Sequence, residues 1–400
     1  MAEFNEALLG GRSAQAAIPA ERFSTAEKVY RNRSGFIVDQ GYYQALRQRN
    51  EVVLPAYCED IIEEALRSAR LDLATVDRRK LGLSVGTSVG SSFVLLDWVK
   101  AFMANPEAVL SLRTPATIAG ELKQRYGVRG PVSTISTACA AGTNSVGRAF
   151  DYIQSGRCNT VIAGGVDIFT DHSMSGFNIL GAISKDKCRP FDTARDGIIL
   201  GDGGAFFVME ELETALARRA PVMAELLGYS TLNEAYHPTS PKPDGSMALR
   251  VMREALRYSG VDASEIGYIN AHGTGTPAND SMEWKAIKEL FGGGGGYVSS
   301  IKSMVGHTLG AAGSVELLAS ILGLQGGYIP PTVNIRETIC SDGEAGGLTL
   351  VRDQPVFADY DHSISNSFGF AGNMAAIVVK KYDAYANHDH LSDAGGVIAA

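Results

Sequence analysis

The chain has 400 residues, 45% hydrophobic and 20% charged, which is globular composition sufficient for one large domain or two fused ones and unlike that of a disordered chain. Its formal charge of −8 argues against nucleic acid as the main partner, because phosphate neutralisation needs a broad cationic surface. Cys58, Cys139, Cys158, Cys188 and Cys340 lack disulfide or zinc spacing, Glu3 and Glu6 stand where a signal peptide carries Lys or Arg, and no apolar run has membrane-spanning length, so a cytoplasmic protein with no membrane partner is expected.

Strand-like runs recur at 80–88 (KLGLSVGTS), 131–137 (PVSTIST), 160–167 (TVIAGGVD), 204–211 (GAFFVMEE), 267–273 (GYINAHG) and 374–382 (MAAIVVKKY). Helical patterns fall between them at 55–70, 139–155, 212–218, 247–259, 281–291 and 311–324. This alternation predicts a mostly parallel sheet with helices on its faces. Glycines cluster at the ends of the apolar runs, in AGGVD, LGDGGA, AHGTGT and LGAAGS, as in α/β proteins whose sites lie at strand ends. Residues 231–245 have turn composition. An internal echo suggests duplication: LSVGTS and INAHGTG both run a strand into Gly-Thr, and ACAAGTNSV and TLGAAGSVE both open a helix with small residues.

A cysteine is more often a buried hydrophobe than a nucleophile, and that reading suits Cys58, Cys158 and Cys340. Cys139 differs because it follows a strand and opens a helix among Ser, Thr, Ala and Gly. Free N–H groups and the positive helix end at its sulfur predict a thiol pKa lowered from about 8.5 to between about 3.5 and 7.5. His272 (NAHGTG) and His307 (KSMVGHTLG) each sit beside glycines at a strand or loop end, which invites a shared site. Lys302 lies five residues before His307, and Glu316 follows on the next helix. Phe368 and Phe370 alternate with glycine in SNSFGFAGN, a turn able to present a backbone N–H to an oxyanion.

Taken in this order, Cys139, His272, Lys302, His307, Glu316 and the Phe-Gly-Phe turn resemble the elongating β-ketoacyl-acyl-carrier-protein synthases, condensing enzymes of the thiolase fold. The resemblance runs from about residue 3 to residue 380 and includes CRPFDTARDGIILGDGGAFFVMEE and AYHPTSPKPDG. It implies an α/β, five-layered αβαβα fold of two similar halves, 1–220 with the nucleophile and 221–383 with the two histidines, followed by a loose tail, 384–400. It also implies that Cys139 takes an acyl chain from acyl carrier protein as a thioester. His272 and His307 then stabilise the enolate formed by decarboxylation of malonyl-carrier-protein. Lys302 and Glu316 orient that pair, the N–H groups of Cys139 and Phe370 bind the oxyanion, and Phe370, beside Phe368, acts as a gate.

No cofactor is required on this reading. Asn270, Glu316, Ser365 and Asn366 match positions where some members hold a structural cation, although they could equally hydrogen-bond one another. Val89 matches the far end of the acyl pocket, where an ordinary core Val is the alternative. The implied assembly is a homodimer or a heterodimer with a related subunit. Arg47, Arg49 and Arg189 are candidates for docking the acidic carrier protein at the entrance. A chain-length-factor-like partner subunit is the rival reading, which the presence of Cys139 disfavours.

The sequence departs from the family in two places. Ala371 and Asn373 alter the Gly-rich turn after Phe370, and the usual first strand, roughly V-V-V-T-G, is missing ahead of FNEALLGGRS. An empty interior slot would strand unpaired N–H and C=O groups. The expectation is therefore that the natural chain starts upstream of Met1, or that the tail or a partner subunit supplies the strand.

Overall fold

The structure, a computed structural model, describes residues 1–23, 29–50, 52–90, 99, 102–105, 114–291, 294–340, 347–382 and 396–399. Eleven strands form the main sheet: β1 (Leu81–Gly86), β2 (Val132–Ile135), β3 (Thr160–Asp167), β4 (Gly203–Glu211), β5 (Val222–Asn233), β6 (Ile266–Asn270), β7 (Gly296–Ser299), β8 (Leu348–Leu350), β9 (His362–Phe368), β10 (Asn373–Lys381) and β11 (Gly396–Ala399). Their spatial order is β8-β7-β6-β9-β10-β5-β11-β4-β3-β1-β2.

The two halves of this order repeat. In the second half β6 pairs in parallel with β7 and β9, β9 is antiparallel to β10, and β10 is antiparallel to β5. In the first half β1 pairs in parallel with β2 and β3, and β3 is antiparallel to β4. The strand next to β4, in the place β5 holds beside β10, is β11, antiparallel to both β4 and β5. Residues 396–399 therefore fill this place in the first half. Residues 396–399 are not part of a loose tail, because buried strand edges on both sides bond their backbone. The rest of the expected tail, 384–395 and 400, lies outside the described residues.

The strands are apolar on both faces because helices cover both faces. On β3, Val161 and Ala163 face inward to a cluster with Val146, Leu317 and Ile321, while Ile162 and Val166 pack outward with Leu54, Ile62 and Ile118. On β10, Ile377 and Val379 join the inner cluster, and Ala376 and Val378 pack outward with Met252 and Ile287. Between the half-sheets lie α1 (Ala141–Gln154) and α3 (Ala312–Gly326), and α2 (Pro277–Phe291) belongs to an outer layer. This is the expected five-layered thiolase-like fold. Residues 309–326 are long and apolar enough to cross a membrane, but 83% of that window is buried, as suits a helix packed on every side.

The internal echo has a packing reason. A Cβ on Gly142 of α1 would lie 2.9 Å from the Gly310 carbonyl oxygen, and one on Gly313 of α3 would lie 2.0 Å from Thr143 Oγ1. Only glycine lets the two helix starts approach this closely. Each start carries a catalytic candidate, so the close approach brings Cys139 and His307 together.

Candidate active site

A cavity of about 290 Å³ is lined by Cys139, His272, His307, Phe368 and Phe370, with Thr274, Thr276 and His237 among its other walls. Cys139 sits in a single turn, Ala138–Ala140, between β2 and α1, and the backbone of Ala138 is left-handed, with φ +49°. Cys139 is 6% exposed. Burial pushes its pKa up to about 11, against the smaller lowering effects of the Lys302 charge and the Phe370 N–H. The expected lowering at the helix start is thus outweighed, because removing a thiolate from water costs more than these dipoles return.

His272 follows β6. Its backbone N–H and that of Gly273 donate to Glu283 Oε1 and Oε2, each at 2.8 Å. Lys302 Nζ donates to its Nδ1 at 3.1 Å and to its carbonyl at 2.6 Å. His307 Nδ1 accepts the Leu309 N–H at 3.2 Å. In both rings Nδ1 is an acceptor, so in the neutral imidazole the proton resides on Nε2. Burial and the Lys302 charge hold both histidines well below the usual 6.5, which keeps them neutral at pH 7. The rings meet edge to face with centroids 5.4 Å apart, and His272 Nε2 is buried without a partner. Two N–H donors thus point at the space above the sulfur, a geometry suited to stabilising a developing oxyanion.

Lys302 and Glu316 are buried and ion-paired. Burial pushes the Glu316 carboxyl up to about 7, with Lys302 pulling the other way. Ligating atoms of Cys139, His272 and His307 all lie within 4.8 Å of one another, the type and spacing of a soft-metal cluster. With both Nε2 atoms protonated, however, neither imidazole offers the cluster a lone pair.

The four candidate cation ligands share a defect that the sequence could not reveal. Asn270 Oδ1, Glu316 Oε2, Ser365 Oγ and Asn366 Oδ1 are all buried without a hydrogen-bond partner, and Asn270 and Ser365 are directly paired across β6 and β9. Mutual hydrogen bonding of these oxygens is therefore not what the structure contains, and the donor set fits a hard cation.

The Phe-Gly-Phe turn runs from β9 into β10. Phe370 packs on Phe177 with ring centroids 5.5 Å apart, and Phe368 on His272 at 5.9 Å. Asn373 Nδ2 donates to the Phe370 carbonyl at 2.9 Å, Asn233 Nδ2 to the Ala371 carbonyl at 2.8 Å, and the Ala371 N–H to the Pro238 carbonyl at 2.7 Å. These bonds hold Ala371 at φ +59°, a conformation that costs a non-glycine residue about 1–2 kcal/mol.

Three of the candidate residues lie outside the lining of this cavity. Val89 packs against the cluster of Phe169, Met174, Ile198 and Leu309 and does not line the Cys139 cavity. Arg47 and Arg49 lie on the helix Gln40–Arg49, none of whose residues lines that cavity. Arg49 is engaged by Asp60 at 2.6 Å, beside a second cavity of about 410 Å³ under Gly203–Phe206. Arg189 is better placed: its backbone packs on Gly275, between the rim residues Thr274 and Thr276, and its side chain pairs with Asp186 at 2.6 Å. Glu283 and Phe177 went unnoticed in the sequence. Glu283 had one available signal, an acid three residues after Asp280, which puts two carboxylates on one buried face of α2.

Residues 1–215 match the β-ketoacyl synthase N-terminal domain family, and residues 223–336 match the corresponding C-terminal domain family. A 3-oxoacyl-[acyl-carrier-protein] synthase 2 of Synechocystis sp. is 35% identical over 381 residues, 91% of this chain and 90% of that protein. Among solved structures, the ishigamide ketosynthase/chain length factor is 32% identical with a TM-score of 0.82, covering 96% of this chain and 95% of that one. A type II polyketide ketosynthase solved in complex with its acyl carrier protein and bound to the hexaketide is 26% identical with a TM-score of 0.82, over the same shares.

Proposed function

The chain belongs to the β-ketoacyl synthase family, and on that premise we propose that it joins a Cys139-bound acyl chain to malonyl-carrier-protein by decarboxylative Claisen condensation, in fatty-acid or polyketide synthesis. The observation that carries the proposal is the pair of neutral imidazoles, both fixed as Nε2–H donors, facing one buried thiol.

In the first half-reaction the Cys139 sulfur attacks the acyl thioester and the carrier thiol departs with the thiol proton. In the second, the malonyl C–C bond breaks and carbon dioxide leaves. The electron pair becomes an enolate whose oxygen receives the Nε2–H bonds of His272 and His307. The enolate carbon then attacks the Cys139 thioester, the C–S bond breaks, and the sulfur regains a proton. Neutral donors in a water-poor cavity suit this step because they need no reorganisation as the charge develops. The N–H groups of Cys139 and Phe370 receive the oxyanion of the attacked thioester. Phe370 serves as the gate, resting on Phe177 between the two half-reactions. Lys302 and Glu283 hold His272 from behind.

The acyl carrier protein docks at the rim near Arg189, in a cytoplasmic dimer formed with a second copy or a related subunit. A hard cation held by the orphaned oxygens of Asn270, Glu316, Ser365 and Asn366 supports the loop behind the histidines and takes no part in bond making. The test is to incubate the protein with acyl-carrier-protein and with malonyl-carrier-protein separately. The expected results are an acyl adduct on the Cys139 peptide and carbon dioxide release that His272→Ala or His307→Ala each suppress while acylation persists. An adduct on Cys188, or normal carbon dioxide release by both variants, overturns the assignment.

A further inference from the structure

Asp167, the last residue of β3, is fully buried and touches neither histidine nor the thiol in the chemistry above. Its carboxylate nevertheless accepts five hydrogen bonds. Oδ1 receives Thr87 Oγ1 at 2.6 Å, the Val89 N–H at 3.1 Å and the Gly90 N–H at 3.4 Å. Oδ2 receives the Ser88 N–H at 2.8 Å and the Gly310 N–H at 2.7 Å. Four of these partners are backbone N–H groups, which can only donate, and both oxygens accept from them. A proton on Oδ2 would face the Ser88 and Gly310 N–H groups, and one on Oδ1 could go only to Thr87 Oγ1, so four of the five partners favour the carboxylate. Burial pushes the pKa up while the hydrogen bonds from Thr87, Ser88, Gly310 and Val89 pull it back.

These bonds tie together two turns from opposite halves of the protein. One is Thr87–Gly90, after β1. The other follows His307: the Leu309 N–H fixes the imidazole through Nδ1, and the very next amide, Gly310 N–H, ends on Asp167. This second turn has no slack. Leu309 has φ +53°, and a Cβ on Gly310 would lie 2.7 Å from Asp167 Oδ2 and 2.3 Å from the Ser88 nitrogen. Movement of Gly310 away from Asp167 would carry the Leu309 amide off the imidazole and release the ring to either tautomer.

We infer that Asp167 is a positioning residue for the decarboxylation step, holding the turn after His307 so that the Leu309 amide keeps the imidazole as an Nε2–H donor. This rests on the proposed role of His307 in stabilising the enolate. Asp167→Asn keeps the shape but replaces one acceptor oxygen with an N–H donor that faces N–H groups. In the full-length protein this change is expected to lower decarboxylation of malonyl-carrier-protein by about 30-fold or more, approaching the 10²–10³-fold cost of outright loss of an oxyanion donor, while acylation of Cys139 changes by less than about threefold.

Nitrogen NMR of histidine-labelled protein reads the tautomer directly. His307 of the wild type is expected to show an acceptor Nδ1 and a protonated Nε2, and the variant a mixture of both forms. If Asp167→Asn does not fold, Thr87→Val removes the hydroxyl that holds Asp167 Oδ1 and so loosens the carboxylate that receives the Gly310 N–H. It is expected to slow decarboxylation by about three- to tenfold without slowing acylation. Equal losses in both half-reactions, unchanged decarboxylation in the folded variant, or an unchanged His307 tautomer overturns the inference. A wild type that releases no carbon dioxide refutes the reaction assigned to the site, while the NMR spectrum still decides the role of Asp167.

Discussion

The protonation state of the nucleophile separates what the helix start suggests from what burial imposes, and an alkylation titration measures it. With the Cys139 thiol pushed up to about 11, the thiolate fraction at pH 7 is about 10⁻⁴, against about 3 × 10⁻² for a free cysteine with a pKa near 8.5. Alkylation of Cys139 by iodoacetamide at pH 7 is therefore expected to be about 300-fold slower than that of an exposed thiol. The rate should climb about tenfold per pH unit from pH 7 to pH 10 without a plateau. Peptide mass spectrometry assigns the adduct, since Cys58, Cys158 and Cys188 are also buried with raised pKa values. Lys302→Met removes the charge that partly offsets burial, so the rate at a given pH should fall further. A plateau below pH 8 would show that the dipole of α1 and the Phe370 amide dominate, and the argument from desolvation would be wrong.

Removing residues 396–400 takes β11 from between β4 and β5. Each ladder hydrogen bond contributes about 0.5–1.5 kcal/mol, so a loss of about 2–5 kcal/mol and a fall of several degrees in Tm are expected by calorimetry; an unchanged Tm would mean that β11 contributes no pairing energy. Ala371→Gly relieves about 1–2 kcal/mol of left-handed strain and gives back about 0.4–1 kcal/mol in unfolded-chain entropy. Denaturant unfolding should show a small net stabilisation, and a destabilised variant would refute the strain argument. Arg189→Glu should raise the KM for acyl-carrier-protein several-fold and leave a small thioester substrate unaffected, while equal effects on both would reject a docking role.

The residues that carry the chemistry were legible in the sequence because each stands in a local context that demands a particular backbone. Cys139, His272 and His307 follow strand-like runs and are flanked by the small residues that tight turns and close helix approach require. The sheet and its helical layers were legible for the same reason, since continuous apolar runs such as 160–167 mark strands covered on both faces. The twelve-residue strand β5 is not marked in the sequence because Glu225 and Gly228 interrupt its apolar residues and it ends in the turn-like run Ser230, Thr231, Leu232 and Asn233. Whatever depends on residues distant in the chain was decided only by the tertiary structure. The thiol pKa follows from burial, which no flanking residue reports. The tautomers depend on what reaches each Nδ1, Lys302 for His272 and the Leu309 amide for His307. The role of Asp167 appears only when turns 220 residues apart meet at one carboxylate. Which segment lies beside β4 was likewise settled only by edge pairing. Backbone hydrogen bonds are satisfied by whatever strand can reach both edges in the right direction, and here that strand is β11.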